Sequence, residues 1–146
     1  MNKQRVLFLC THNAARSQMA EALLRKHAGE HFEVVSAGLE PTTVHPLTIC
    51  AMKEIGLDIS GQRSKGLDEF LGKTPVQIAI VVCEQAQKNC PRIFPFAMER
   101  LCWPFEDPAA CNGTEAERLQ KFRDVRGQIE AKILEWLKTS TATTGQ

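Results

Sequence analysis

An apolar run and a helical pattern meet in Leu9-Cys10-Thr11-His12-Asn13-Ala14-Ala15-Arg16-Ser17. Residues 5–9 are mostly β-branched or large apolar side chains, which is typical of a buried strand. Residues 17–26 consist largely of strong helix formers. The stretch therefore predicts a strand, a loop and a helix in direct succession, and the loop opens the helix.

A loop in this position favours the binding of an oxyanion. The first backbone N–H groups of a helix have no intrahelical partner, and the helix dipole places its positive end there. The arginine that ends the loop adds a planar guanidinium, which can hold two oxygens at once. The predicted oxyanion-binding loop comprises Thr11, His12, Asn13, Ala14, Ala15 and Arg16.

Cys10 is the candidate nucleophile at the base of this loop. A helix N-terminus and a nearby cation favour the reactive thiolate, and the hydroxyl of Ser17 can donate to that thiolate or to a leaving group. The alternative is a buried cysteine at a strand end and a surface arginine, which the bare spacing of Cys10 and Arg16 favours. The strand before the loop, the helix after it and the serine beside the arginine favour the catalytic interpretation.

Composition limits the class of protein. With 146 residues and 43% apolar content, the chain predicts one domain, residues 1–138, and a polar disordered tail at 139–146. A net charge of +1, with acids and bases interspersed, argues against nucleic acid or a membrane surface as partner. The N-terminus lacks a signal-peptide pattern and no stretch could span a bilayer. We therefore expect a cytoplasmic protein whose six cysteines are reduced at rest.

Strand patterns alternate with helical patterns along the whole chain. The strand patterns lie at 5–10, 32–36, 77–83 and 98–103, and the helical patterns at 17–26, 46–55, 67–71 and 114–137. This alternation predicts a single-domain α/β fold with an open parallel four-stranded sheet flanked by helices. The last helix opens with a capping box of Thr114 and Glu117, and Trp136 continues its apolar face, so we expect Trp136 in the core.

Several motifs follow one another in a recognisable order. They are C-x5-R from Cys10 to Arg16, Ser17-Gln18-Met19-Ala20-Glu21, Ser36-Ala37-Gly38, residues 51–60, the pair Cys83 and Cys90 with Pro91, and residues 103–109. From about residue 5 to about residue 138 the chain resembles the thioredoxin-coupled arsenate reductases of the low-molecular-weight tyrosine phosphatase superfamily. The resemblance implies a low-molecular-weight phosphatase-like fold with sheet order 2-1-3-4. It places the Cys10 loop at the carboxyl edge of the first strand, where open parallel sheets bind ligands.

An oxygen that leaves the oxyanion needs a proton, and Asp107 is the candidate general acid. It follows the last strand, at the sheet edge predicted to carry Cys10. Spacing alone favours a turn-forming Asp before Pro108, and Glu106 is the alternative carboxylate. The resemblance implies that Asp107 is the acid, because it matches the Asp-Pro of the family.

Cys83 and Cys90 are candidate redox partners of Cys10. From the residues alone they could be half of a metal site or two unrelated core cysteines, although no further pair completes a metal-binding set. Their spacing equals that of the family, which implies a relay: Cys10 forms an arseno-thiol, Cys83 releases arsenite, and Cys90 frees Cys10. The expected partners are arsenate and thioredoxin, and we expect a monomer without cofactor or metal.

The residues after Asp107 help to distinguish between the candidate substrates. Phosphatases of the superfamily have aromatic residues there, commonly Tyr, whereas this chain has Ala109 and Ala110 and contains no Tyr. This difference favours a small inorganic oxyanion, and a weak phosphatase side activity is compatible with the same loop. The alternatives are a low-molecular-weight protein-tyrosine phosphatase, favoured if Cys83 and Cys90 are dispensable, and a non-catalytic oxyanion or thiol sensor.

The resemblance also concerns the support of the loop. It implies that Asn13 braces the loop together with Ser36. Relatives bind a potassium ion there with these two residues, a Thr and an Asp, and the last two align with Arg63 and Lys65. Because cationic side chains offer only donors and repel a cation, we expect no potassium and predict that the ammonium of Lys65 donates to Asn13 and Ser36.

Three cysteines lie outside these motifs. Cys50 and Cys102 are expected to be buried, and Cys111 is expected in an exposed turn near Asp107. Of the three, only Cys111 is expected to compete with Cys83 and Cys90 as an extra redox thiol.

Overall fold

The computed structural model describes residues 3–69, 75–83 and 97–144, without the side chains of Cys83 and of residues 140–144. Its strands are β1 (Gln4–Cys10), β2 (Phe32–Gly38), β3 (Ile78–Cys83) and β4 (Glu99–Phe105). Its α-helices are α1 (Arg16–Ala28), α2 (Pro46–Lys53) and α3 (Glu115–Thr144). Two short 3₁₀ turns lie at Leu67–Glu69 and Pro108–Ala110.

The four strands form one parallel sheet in the order β2-β1-β3-β4, as predicted. β1 is central, and Val6, Leu7, Phe8 and Leu9 are fully buried. Such a continuous apolar run is typical of a parallel strand covered on both faces. In the register, Cys10 lies opposite Gly38 of β2 and Leu9 lies opposite Val81 of β3. The carboxyl ends of the strands therefore converge around the loop that follows Cys10.

Local signals explain where the helices begin. The ring Nδ1 of His45 accepts the Leu47 N–H at 3.1 Å, and Pro46 opens α2, where its missing N–H costs no bond. At the start of α3, Thr114 Oγ1 accepts the Glu117 N–H at 3.1 Å. In return, Glu117 Oε1 accepts the Thr114 N–H at 3.0 Å. The capping box predicted from the sequence is thus confirmed.

The core lies between the sheet and helices α1 and α3. Val125, Ile129 and Ile133 are fully buried at helical spacing. Trp136 packs against this core, with its ring 5.4 Å from that of Phe32 and 5.8 Å from that of Trp103. Its prediction as a core residue is confirmed, and the packing secures β2 and β4 against α3.

The structure differs from the sequence predictions in two helical segments. α3 continues to Thr144, so residues 139–144 are helical where the sequence predicts a disordered tail, because these six residues contain no glycine or proline. The helix predicted at 67–71 is a 3₁₀ turn at Leu67–Glu69, and residues 70–71 lie outside the described part.

Cys50 and Cys102 are exposed rather than buried. The apolar face of α2 is buried through Leu47, Ala51 and Met52, and Cys50 lies on the other side of the helix. Side chains alternate along β4, where Trp103 is buried and its neighbour Cys102 is exposed.

In the ranges that the structure covers, even the 30-residue helix α3 lacks an apolar stretch that could cross a membrane.

Candidate active site

The loop between β1 and α1 is held from outside by its carbonyl groups. Every carbonyl oxygen of residues 10–15 accepts a hydrogen bond from surrounding backbone or side chains. The donors are the N–H groups of Leu39, Glu40, Thr42, His45 and Met19, together with Ser64 Oγ, Thr48 Oγ1 and Gln18 Nε2. Their distances lie between 2.7 and 3.2 Å.

This arrangement determines where the amides of the loop point. In a trans peptide unit, the N–H of one residue points away from the C=O of the residue before it. Because the carbonyls of residues 10–15 face the surrounding protein, the amides of Thr11 to Arg16 face the interior of the loop. A concave set of amides at a helix N-terminus is an anion-binding geometry. The loop predicted from the sequence has this geometry.

The sulfur of Cys10 lies at the base of the loop and is 2% exposed. The backbone N–H of Asn13 donates to it at 3.3 Å, and Ser17 Oγ lies 2.9 Å from it. The structure thus brings the predicted nucleophile and Ser17 into direct contact.

The side-chain amide of Asn13 contacts Ser17, Ser36 and the backbone of Lys65. The backbone N–H of Lys65 donates to Asn13 Oδ1 at 2.8 Å, and a backbone amide can only donate. Asn13 Nδ2 therefore donates to Ser17 Oγ at 2.7 Å and to Ser36 Oγ at 3.0 Å. A Cys10 thiolate can only accept a hydrogen bond, so in that state Ser17 Oγ, which accepts from Asn13, donates its own hydrogen to Cys10 Sγ. The buried Asn13 thus orients the Ser17 hydroxyl that contacts the Cys10 sulfur.

Asn13 also takes an unusual backbone conformation, with φ at 54°. Asn adopts this left-handed region more readily than most residues do. The turn at Asn13 is needed to bring its own N–H to Cys10 Sγ while its side chain reaches Ser36 on β2. The contact between Asn13 and Ser36 that the resemblance implied is present.

Gly38, opposite Cys10, lies too close to the loop for any side chain. A Cβ atom there would lie 2.8 Å from the Asn13 nitrogen and 2.9 Å from both the His12 carbonyl carbon and the Thr11 oxygen. All three atoms belong to the backbone of the loop, so the loop itself would have to move. β2 thus supports the oxyanion loop by direct backbone contact.

We expect Gly38→Ala to weaken the binding of inorganic phosphate at least several-fold and to lower the melting temperature, because overpacking costs about 1–3 kcal/mol. Calorimetric titration and thermal melting measure the two effects. Gly61→Ala is the matched control, since nothing lies within 4 Å of a Cβ at that glycine. Unchanged phosphate affinity and melting temperature in Gly38→Ala would show that the loop tolerates displacement.

Arg16 links the loop to the end of β4. Its side chain is largely buried, and Nη1 donates to the Phe105 carbonyl at 3.1 Å. Its Nη2 lies 3.6 Å from Asp107 Oδ2. The structure therefore brings Cys10, Arg16 and Asp107 to one edge of the sheet.

Asp107 and Glu106 occupy different environments. Asp107 Oδ1 accepts the Ala109 N–H at 2.9 Å and caps the 3₁₀ turn, while Oδ2 faces Arg16. Glu106 instead pairs with Lys121 at 2.5 Å. The carboxylate of Asp107 both makes the expected turn and faces the loop, whereas Glu106 is turned towards α3.

A buried carboxylate supports the loop from the other side. Glu21 of α1 is 5% exposed and accepts a hydrogen bond from Ser36 Oγ. Lys65 Nζ lies 3.8 Å from Glu21 Oε1 and donates to the Arg63 carbonyl at 2.9 Å. Burial lowers the pKa of Lys65, and the charge of Glu21 opposes that shift.

The contacts of Lys65 differ from those predicted. Its backbone N–H, rather than its ammonium, donates to Asn13, and Ser36 is bonded by Asn13 and Glu21 instead. The ammonium group donates to the Arg63 carbonyl instead. The guanidinium of Arg63 turns away and forms a two-pronged pair with Glu69 at 2.6 and 2.9 Å.

These residues do not fit a potassium ion. Potassium needs free oxygen ligands, but Asn13 Oδ1 already accepts from Lys65 N and from Gln18 Nε2 at 2.8 Å each. The Lys65 ammonium lies beside Glu21 and repels a second cation. Within the described ranges, no three His, Cys, Asp or Glu side chains are grouped so that they could hold a metal ion.

Gln18 and Glu21 are supporting residues that the sequence predictions did not assign. Gln18 Nε2 donates to the Asn13 carbonyl at 3.0 Å and to Asn13 Oδ1, and Gln62 Nε2 donates to Gln18 Oε1 at 2.6 Å. The available signal was the position of Gln18 and Glu21 in the first turns of a helix that must pack against a sheet. Polar residues buried there need polar partners.

The two relay cysteines are only partly placed by the structure. Cys83 ends β3 and lies opposite Phe105 in the register with β4, at the sheet edge that carries Cys10. The Cys83 side chain and all of Cys90 lie outside the described residues. Cys111 is a half-buried free thiol whose Sγ donates to the Asn112 carbonyl at 3.4 Å.

Known proteins share this architecture and sequence. The low molecular weight phosphotyrosine protein phosphatase family matches residues 5–144, and the chain belongs to that family. A curated arsenate reductase from Halalkalibacterium halodurans is 43% identical over 140 residues, which cover 95% of this chain and 99% of the relative. The resemblance and the fold class inferred from the sequence are therefore confirmed.

Solved structures of arsenate reductases have the same fold as this chain. An arsenate reductase in the phosphate binding state superimposes with a TM-score of 0.78 at 32% identity, over 93% of this chain and 98% of the other. A thioredoxin-dependent arsenate reductase from Corynebacterium glutamicum gives 0.70 at 30% identity, over 97% of this chain and 63% of the other. These three relatives, each at least 30% identical to this chain, are named arsenate reductases.

Proposed function

We propose that this chain reduces arsenate to arsenite, with Cys10 as nucleophile. The observation that carries the proposal is the loop itself, because its outward carbonyls leave a concave set of amides above a sulfur that accepts from the Asn13 N–H and contacts the Ser17 hydroxyl. Arsenate is a tetrahedral oxyanion that such a set of donors and the Arg16 guanidinium can hold. The names of the relatives support this substrate.

In the first step, the Cys10 thiolate attacks arsenic, and an S–As bond replaces one As–O bond. Asp107 protonates the departing oxygen, so that water leaves rather than hydroxide. The distance of 3.6 Å between Arg16 Nη2 and Asp107 Oδ2 supports this role, because Arg16 is the group that would hold the anion. The Asn13 N–H and the Ser17 hydroxyl contact the Cys10 sulfur before the attack and again after arsenite has left.

Reduction then uses the thiols of the chain. The Cys83 thiolate attacks the Cys10 sulfur, an S–S bond forms, and the electron pair of the S–As bond moves to arsenic, which leaves as arsenite. Cys90 attacks Cys83 and frees Cys10, and a dithiol reductant opens the remaining disulfide. Thioredoxin is our proposed reductant, supported by the related arsenate reductase from Corynebacterium glutamicum, which is thioredoxin-dependent.

The cellular setting follows from this chemistry. A relay that must return to thiols after each turnover needs a reducing compartment, so we propose the cytoplasm. We further propose that the chain acts as a monomer and without a cofactor, since the relay needs no group beyond its own thiols.

Phosphate-ester hydrolysis is a second candidate activity. A phosphate has the same tetrahedral shape as arsenate, and a related arsenate reductase is described in a phosphate binding state. Hydrolysis would need only the loop, Cys10 and Asp107. Ala109 and Ala110 provide no aromatic wall beside the site, so we expect this activity to be weak.

The decisive assay supplies arsenate with NADPH, thioredoxin reductase and thioredoxin, beside a parallel assay with p-nitrophenyl phosphate. We expect arsenate-dependent NADPH oxidation and slow phosphate release. Fast phosphate release without arsenate reduction would favour the phosphatase. Tight arsenate binding without turnover of either substrate would favour a sensor.

Lys65 is our proposed internal replacement for a bound cation, acting through Glu21 on the loop. We expect activity and melting temperature to be nearly equal in potassium, sodium and choline salts at the same ionic strength. Lys65→Asp combined with Arg63→Thr should make the activity depend on potassium, because oxygen ligands then replace the positive charge. Activation of the unchanged protein several-fold by potassium over choline would contradict the role of Lys65.

A further inference from the structure

The carbonyl of Asn13 is held differently from the other carbonyls of the oxyanion loop. Every other carbonyl from residue 10 to residue 15 accepts a backbone N–H, at 2.7 to 3.2 Å. Within the part of the chain that the structure describes, the Asn13 carbonyl accepts from a side chain alone, Gln18 Nε2, at 3.0 Å. One glutamine therefore supplies at this point what the backbone supplies around the rest of the loop.

The Asn13 carbonyl determines where the next amide points. In the trans peptide unit that joins Asn13 to Ala14, the C=O and the N–H point in opposite directions. Gln18 holds the C=O on the outside, so the Ala14 N–H faces the interior of the loop. Asn13 itself has φ at 54°, a left-handed conformation that the surrounding contacts must maintain. The direction of the Ala14 amide therefore depends on Gln18.

The Gln18 side chain is fully buried, and its neighbours fix the orientation of its amide. Its Nε2 lies 3.0 Å from the Asn13 carbonyl, 2.8 Å from Asn13 Oδ1 and 2.9 Å from the Arg63 carbonyl. Because backbone carbonyls only accept, the nitrogen of Gln18 must face them and Oε1 must face away. The contact with Asn13 thus requires one orientation of the Gln18 amide.

Gln62 contacts the other end of the same amide. Its Nε2 donates to Gln18 Oε1 at 2.6 Å, and its own Oε1 accepts from Arg25 Nη1 at 3.3 Å. A buried acceptor such as Gln18 Oε1 needs a donor, and the half-buried Gln62 provides it. Gln62 therefore holds Gln18 in the orientation that the contact with Asn13 requires.

We propose that Gln18 is a positioning residue for the bound oxyanion and that Gln62 acts through it. Gln18 keeps the Asn13 carbonyl outside the loop, so that the Ala14 N–H donates to a tetrahedral anion above Cys10. The inference rests on the proposed function, because it takes this loop as the arsenate site. Hydrogen bonds from backbone N–H groups to charged oxygens are among the strong ones, so a misdirected Ala14 amide should weaken anion binding.

Calorimetric titration with inorganic phosphate tests the inference without any redox step. Gln18→Met keeps the length of the side chain and removes its donor, and we expect the phosphate affinity to fall about ten-fold. Gln62→Met should weaken phosphate binding by a smaller factor, because Gln18 then keeps its own hydrogens but loses the partner of Oε1. Since Gln62 is only half-buried, this variant also tests the inference if Gln18→Met does not fold.

Thr48→Val is the matched control for Gln18→Met. Thr48 is also fully buried, and its Oγ1 donates to the Ala14 carbonyl at 3.0 Å. That carbonyl accepts the His45 N–H at 3.0 Å as well, so it keeps a backbone donor when the hydroxyl is removed. We therefore expect a much smaller loss of phosphate affinity in Thr48→Val than in Gln18→Met.

The amide resonance of Ala14 distinguishes positioning from a general loss of stability. In the isotope-labelled unchanged chain, saturating phosphate should shift the Ala14 amide proton downfield, as expected for a new hydrogen bond to a charged oxygen. In Gln18→Met and in Gln62→Met this shift should be smaller, while the Arg16 amide keeps its shift. Thr48→Val should show the Ala14 shift of the unchanged chain.

The results separate the inference from the proposed function. Equal phosphate affinity in Gln18→Met and Thr48→Val, or an undiminished Ala14 shift in Gln62→Met, would overturn the role of Gln18 and leave the arsenate site intact. If the unchanged chain bound no phosphate, the oxyanion site would be wrong, and both the inference and the proposed function would fail.

Discussion

Replacement of Cys10 by serine is expected to remove arsenate reduction and phosphate-ester hydrolysis together. A serine hydroxyl provides no anion for attack at neutral pH, and the two hydrogens directed at position 10 from Asn13 and Ser17 cannot make it one. We expect at least about a thousand-fold loss of both activities, as for other residues that act as nucleophiles. The coupled thioredoxin assay and the p-nitrophenyl phosphate assay measure the two losses.

Cys50→Ser is the matched control for this variant, because Cys50 is an exposed free thiol on α2. It should keep both activities. Phosphate binding by Cys10→Ser should persist, since the loop amides and Arg16 remain. Appreciable turnover of either substrate by Cys10→Ser would contradict its assignment as nucleophile.

Replacement of Cys83 or Cys90 by serine is expected to separate the two activities. Each variant should lose multiple turnover of arsenate with thioredoxin, because the disulfide can no longer be passed on. Each should keep phosphate-ester hydrolysis, which needs only the loop, Cys10 and Asp107. The same pair of assays, run at equal protein concentration, measures the separation.

A distinction between the two variants sharpens this test. Cys90→Ser should still release arsenite once, since Cys83 can attack Cys10, whereas Cys83→Ser should release none. If Cys90→Ser retained full turnover with thioredoxin, the relay of three thiols would be wrong. Loss of phosphate-ester hydrolysis in both variants would instead indicate that the cysteines support the fold.

Much of the fold could be predicted from the sequence because the signals are local. The apolar run of β1, the helix formers of α1 and the capping box of Thr114 and Glu117 each act within a few residues. Alternation of strands and helices then leaves few parallel topologies. The prediction of a disordered tail is wrong for residues 139–144, because polar composition alone does not indicate disorder where no glycine or proline breaks the helix.

The loop and its candidate nucleophile could be predicted for the same reason, since Cys10, Arg16 and Ser17 lie within one strand–loop–helix unit. The contacts that hold this loop in place could not be predicted from the sequence. Ser36, Glu21 and the Lys65 backbone come from separate parts of the chain, and their contacts depend on which oxygens are already occupied.

The exposure of Cys50 and Cys102 could not be predicted from the sequence either. Cys50 and Cys102 lie among apolar residues, so their apolar neighbours suggested burial. Whether such a residue faces the core depends on the face of the helix or strand, and the packing of α2 and β4 turns both outward.

The central claim is that the thiols of this chain supply the electrons for arsenate. A single-turnover experiment tests it most directly: the fully reduced protein, with its six cysteines as thiols, is mixed with one equivalent of arsenate in the absence of any reductant, and arsenite and free thiols are counted. We predict one arsenite per chain and the loss of two thiols, with none lost in Cys10→Ser. Unchanged arsenate together with a full count of thiols would contradict the account.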